Sequence, residues 1–294
     1  MKNFAKLFAV VAAIFAVSCT TDVVEELGVQ VGGGEGSTSV TLSLEASRTQ
    51  LGEKAEGLYP LYWSEEDKIA INGVASAPAQ IDAANKANAM FSFAESLERP
   101  FHVVYPAPAE GVVAATAGLY PVTFPASQSY TAGTFESGTA PMYGYAAAAE
   151  GDALPAVEIH HLTGILRLAV KGDKTLTSMT VVAETGAIAG NFDVNCESGA
   201  LTAHEDASNT ITMSFGEGLA LGAEATPIYV AVPAGEHGIY TITLFTNEAE
   251  NNAMVVRFNS DNHPVKAGVV KEFGEVTFIP NTTASPISGE LVIE

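Results

Sequence analysis

Between Val40 and Ala46 the chain alternates. Val40, Leu42, Leu44 and Ala46 fall on one side; Thr41, Ser43 and Glu45 fall on the other. A period of two is the signature of a half-buried strand. Stretches of similar length and β-branched or aromatic content recur as "KIAING", "AMFSFAE", "PFHVVYP", "YPVTFP", "EIHHLTGILRLAV", "SMTVVAE", "TITMSF", "PIYVAVP", "IYTITLF", "AMVVRFN" and "EVTFIP". Gly, Pro, Asn or Asp punctuates them, and the Asn-Gly of "KIAING" predicts a tight turn. Only "PAQIDAANKANA" has helical character, and it is short. Many strands without a βαβ rhythm predict an all-β protein built of β-sandwiches. A chain of 294 residues suits two such domains. The softest boundary is "YAAAAEGDALPAVE", residues 145–158, which places one sandwich at 37–150 and a second at 151–280.

The two ends are patterned differently from the body. Lys2 and Lys6 precede the apolar run "LFAVVAAIFAV", which is too short for the roughly 20 residues of a membrane helix. Such a run reads as a signal peptide over 1–18. Cys19 follows "AVS", as in a lipoprotein signal, where the cysteine is lipidated and becomes the new N-terminus. Ala16 stands where a leucine-like residue is usual, and ordinary cleavage after Ser18 is the other reading. Residues 19–36 contain Gly32, Gly33, Gly34 and Gly36 and predict a flexible tether. At the other end, after "IPNTTASP", residues 281–294 form a candidate strand. Ile287, Gly289, Leu291 and Ile293 share one face; Ser288, Glu290, Val292 and Glu294 share the other. An amphipathic strand at each end, each on a flexible segment, permits exchange of strands between copies. It equally permits pairing of both strands within one chain.

Charge and composition narrow the function. Lys and Arg total 13 against 34 Asp and Glu, a net charge of −21. No basic footprint exists to meet phosphates, which argues against a nucleic-acid binder. The two cysteines are Cys19 and Cys196. With Cys19 lipidated, Cys196 has no partner, and an exported chain must be held by its cores. "FDVNCESG" places Cys196 near a hairpin. Its Asp193, Asn195 and Glu197 resemble a calcium loop, but the glycine falls one place late and His204 occupies the twelfth position. His160 and His161 are adjacent in a predicted strand, point to opposite faces, and cannot share a metal. Glu65, Glu66 and Asp67 read as a solvated turn. Trp63, Tyr59 and Tyr62 read as core rather than a sugar platform. No nucleophile–base pair, phosphate loop or zinc motif occurs, so neither catalysis nor a metal or cofactor is expected.

The order of motifs over most of the chain carries a resemblance. "VTLSLEASRT", "YWSEEDKIAING", "FHVVYPA", "VTFPASQSYTAG", "APMYGYA", "VEIHHLTGILRLAV", "GAIAGNFDV" and "PIYVAVPAGEHGIYTITLF" follow one another. In that order they resemble the fimbrillin (Mfa-like) family of lipoprotein pilins, subunits of type V pili. The resemblance implies two tandem transthyretin-like β-sandwich domains, export as a lipoprotein, and a place at the outer membrane and cell surface. It implies cleavage after an arginine by a trypsin-like protease, loss of the first strand, and donor-strand exchange with other fimbrial subunits, in support of adhesion. Of the four arginines, Arg99 precedes Pro100, and Arg167 and Arg257 lie in predicted strands. Arg48 directly follows the first strand in "EASRTQLGEKAEG". Cleavage between Arg48 and Thr49 would release the lipid anchor, the tether and the strand of Val40, Leu42, Leu44 and Ala46. The donor strand would carry Ile287, Gly289, Leu291 and Ile293. The other reading is a monomeric surface lipoprotein that binds a glycan or a host protein.

Overall fold

A computed structural model describes residues 37–43, 62–148, 157–259 and 264–284. Cys19, Leu44, Ala46, Arg48, Thr49 and the Ile287–Ile293 segment lie outside the described residues. All regular structure within them is β. The short stretch with helical character, "PAQIDAANKANA", forms no helix. Gln80–Ile81 is a short strand and turns follow it. Asp82 and Asn85 explain this: their side-chain oxygens accept the N–H groups of Ala84 (2.8 Å) and Ala87 (3.0 Å). Such local bonds compete with helix.

The N-terminal core lies between two antiparallel sheets. One orders Thr38–Ser43, Asn88–Phe93 and Gln80–Ile81; the other orders Glu158–His161, Met142–Ala146, Phe101–Tyr105, Ala70–Ile71 and Val74–Ala75. Asn72 (φ 52°) and Gly73 (φ 83°) make the tight turn expected of "KIAING". Val40, Leu42, Phe91 and Phe93 of the first sheet share one buried cluster with Phe101, Val103, Tyr105, Met142 and Ile159 of the second. Trp63 fills its centre edge-on to Phe91 and Tyr105, with ring centroids 5.0 Å and 5.4 Å away.

The C-terminal core lies between Thr226–Pro233, Thr163–Lys171 and Val270–Thr277 on one side and a six-stranded sheet on the other. The larger sheet runs Thr283–Ala284, Ala253–Asn259, Ile239–Thr246, Thr175–Ala183, Thr210–Ala220 and Ser127–Ser129.

Described strands from either side of the expected boundary pair across it. "EIHHLTGILRLAV" is two strands, not one. Glu158–His161 completes the N-terminal sheet, Leu162 interrupts, and Thr163–Lys171 enters the C-terminal one. Ile159 accordingly packs in the N-terminal core. In the other direction, Tyr120–Phe124 pairs with Gly190–Val194, and Ser127–Ser129 runs parallel to Thr212–Ser214. The buried Gln128 side chain bonds Ala231 like a strand residue, donating to its C=O (2.8 Å) and accepting its N–H (3.1 Å). Phe101–Tyr105 shows why the halves interlock. Phe101, Val103 and Tyr105 face the N-terminal core, while Val104 faces outward and is also buried. With Ala70 it packs beneath Val122, Phe124, Phe192, Val194 and Cys196.

Asp193 ties this joint. Its carboxylate accepts the N–H groups of Ala115 (3.1 Å) and Thr116 (2.8 Å), and His204 Nε2 lies 2.7 Å from Oδ1. Burial alone would push the carboxyl up, but His204 and the two N–H donors outweigh it and hold it below the ordinary carboxylate value. A depressed native value contributes stability that is present above the unfolded-state value and is lost as pH falls through the native one. Asp193→Asn is therefore expected to cost about 1.5–3 kcal/mol near neutral pH. The difference from wild type should shrink in acid below the carboxylate range. Denaturant titrations at both pH values check this, and a pH-independent difference would contradict it.

Candidate functional site at the first strand

Thr38–Ser43 pairs antiparallel with Asn88–Phe93, with Thr38 opposite Phe93, Val40 opposite Phe91 and Leu42 opposite Ala89. It is the edge strand of its sheet, so one side of its backbone has no ladder among the described residues. Every second residue points inward: Thr38 (1 % exposed), Val40 (0 %) and Leu42 (1 %). Burying Val40 and Leu42 stabilises the strand by roughly 1.5–3 kcal/mol each. The strand's inward side chains pack on Ala89, Phe91 and Phe93 and on the facing sheet.

Two features of this seat escaped the sequence reading. Thr38 Oγ1 accepts the N–H of Leu97 at 2.8 Å, so the first inward position is polar and specific. Asp67 is buried rather than solvated; Glu65 and Glu66 are exposed as expected. Its carboxylate accepts Ser64 N–H (2.7 Å) and Tyr105 O–H (2.7 Å), which locks the Ser64–Asp67 turn onto the core strand Phe101–Tyr105. Burial pushes the Asp67 carboxyl above its ordinary value, while those two bonds act in the opposite direction. The signal for Asp67 was its spacing of three from Ser64, a turn-capping pattern.

The other candidates fall as follows. Arg167 and Arg257 lie within paired strands, and Arg167 is ion-paired to Glu272 at 2.6 Å. Arg99 sits over the Phe101 ring, 4.7 Å from its centroid. His160 is exposed beside Tyr143, and His161 approaches Gly268 instead, so the two histidines meet different neighbours. Residues 193–199 form the expected hairpin. Asn195 Oδ1 accepts the N–H groups of Glu197 (2.9 Å) and Ser198 (3.1 Å), and Gly199 takes a φ of 72°. Cys196 is buried and burial pushes its thiol up to about 12, far from a reactive thiolate. Trp63 is core, while Tyr62 stands at the surface.

No known family profile matches the chain, and no curated protein sequence does. Solved structures do. A candidate cell adhesion protein of Bacteroides uniformis is similar at 15 % identity and a TM-score of 0.47, covering 74 % of this chain and 87 % of that one. One from Bacteroides ovatus follows at 15 % and 0.45, covering 76 % and 86 %. A fimbrial protein of Bacteroides ovatus matches at 11 % and 0.33, covering 79 % of this chain and 48 % of that one.

Proposed function

We propose that the chain is a structural subunit of a cell-surface fimbria and not an enzyme. It is exported as a lipoprotein through Cys19, held at the outer membrane, cut between Arg48 and Thr49 by a trypsin-like protease, and joined to further copies by donor-strand exchange. The observation that supports this best is the first strand itself: an edge strand whose inward Thr38, Val40 and Leu42 are core residues of a sandwich. While the chain is intact, the covalent link keeps that strand at high effective concentration over its seat. A cut at Arg48 would turn it into a dissociable peptide. A strand bearing Ile287, Leu291 and Ile293 could then take its place.

The test is direct. A trypsin-like protease should convert the purified chain into species with N-terminal Thr49 that run as ladders on an unboiled gel. Arg48→Ala should remain an uncleaved monomer, and Leu291→Asp a cleaved one. If the wild type stays monomeric after clean cleavage at Arg48, the donor-strand reading fails and a monomeric surface lipoprotein takes its place.

A further inference from the structure

The seat is selective about how a replacement strand lies in it. Two observations set the selection. First, the position of Thr38 demands a hydrogen-bond acceptor, because its Oγ1 is the partner of Leu97 N–H at a site where Thr38 is 1 % exposed. A strand with an apolar residue there would leave the half-buried N–H of Leu97 without this partner. Second, the ladder has a phase. Ser92 gives its C=O to Ala77 N–H (2.8 Å), and Asn88 gives its C=O to Asp82 N–H (2.9 Å). Both carbonyls point away from the first strand. Ser39 and Ser43, opposite them, therefore occupy non-bonded positions, where the N–H of the edge strand faces outward. Thr41, opposite Met90, is a third such position. A proline is tolerated at these places and not at those of Thr38, Val40 and Leu42.

The chain's own last segment, "SPISGELVIE", begins at Ser285, directly after the Thr283–Ala284 strand. We propose that this segment of a neighbouring copy enters the seat in one register: Ser285 in the place of Thr38, Ile287 in that of Val40, and Gly289 in that of Leu42. Leu291 and Ile293 then stand where Leu44 and Ala46 stand in the sequence. The inference rests on the donor-strand reading above and adds its register. The Ser285 hydroxyl meets Leu97 N–H. Pro286 falls opposite Ser92, at a non-bonded position, so its missing N–H breaks no ladder bond. Leu291 repeats Leu44. Gly289 fills less than Leu42, and that is the cost of this register. Slipping by two residues one way would draw Thr283 out of its pairing with Val255. Slipping by two the other way puts Ile287 over Leu97 N–H, and by four puts Gly289 there. Neither supplies an acceptor side chain. A slip of one turns Ser288 and Glu290 inward.

Register can be read by disulfide formation between copies of the full chain after cleavage. In the proposed register Ser288 lies opposite Met90, a non-bonded pair with the close Cα spacing that a disulfide spans. The chain carrying Met90→Cys and Ser288→Cys should cross-link between copies roughly ten-fold more than chains pairing Ser288→Cys with Asn88→Cys or Ser92→Cys, the partners of a two-residue slip. The buried Cys196 does not compete. Equal or stronger cross-linking at position 88 or 92 overturns the register while leaving strand exchange intact. Ser285→Val should reduce ladder yield about ten-fold and Ser285→Thr should not; a Ser285→Val chain that assembles like wild type overturns the hydroxyl requirement. Absence of any ladder from the cleaved wild type overturns the donor-strand reading itself, and the register with it.

Discussion

A fragment beginning at Val157 is expected not to fold cooperatively, although it contains most strands of the C-terminal core. It lacks Tyr120–Phe124 and Ser127–Ser129, which pair with Gly190–Val194 and Thr210–Ala220. Without them Phe192 and Val194 lose Val122 and Phe124, and Ile165, Tyr229 and Ala231 lose Phe135. The N–H and C=O of Ala231 lose Gln128. Each large apolar side chain uncovered forfeits roughly 1.5–3 kcal/mol. Three or four of them rival the about 5–15 kcal/mol that stabilises a whole domain. The fragment also carries Ile159, a residue of the other core, into water. Circular dichroism and a denaturant titration should show a broad transition or none, whereas the full chain unfolds cooperatively. A sharp transition in the fragment, close in midpoint to that of the full chain, would mean that the interlocking strands contribute little.

Leu42→Asp is expected to release the first strand without cleavage. The change removes about 1.5–3 kcal/mol of side-chain burial. It also places a carboxylate in an apolar cluster of Phe91, Phe101, Val103 and Met142. An unpaired charge at such a site costs several kcal/mol more, and the edge strand has one ladder to oppose it. Hydrogen exchange followed by mass spectrometry should show peptides over Thr38–Ser43 and Asn88–Phe93 exchanging at least about a hundred-fold faster than in wild type. Peptides over Thr175–Ala183, central in the other core, should be unchanged. Full protection of Thr38–Ser43 in the variant would show that the seat tolerates a charge. Removal of the strand would then not follow from its edge position.

Much of this protein is legible from local pattern. Period-two alternation placed Val40 and Leu42 on the buried face, and the same reasoning located most of the longer strands, the Asn72-Gly73 turn and the hairpin around Cys196. These are decisions of nearest neighbours: which face a side chain takes and where the backbone can turn depend on residues two to four apart. What the tertiary structure decided is partnership. "EIHHLTGILRLAV" is one apolar run, and nothing within it says that the chain changes cores at Leu162. Tyr120–Phe124 looks like any other strand until Gly190–Val194 is found beside it. Thr38 looks like the end of a linker until Leu97 N–H, fifty-nine residues away in sequence, takes its hydroxyl. Alternation assigns a strand to a surface and leaves its neighbour open. The neighbour is chosen by burial and hydrogen bonding summed over the whole chain, and no local window contains that sum.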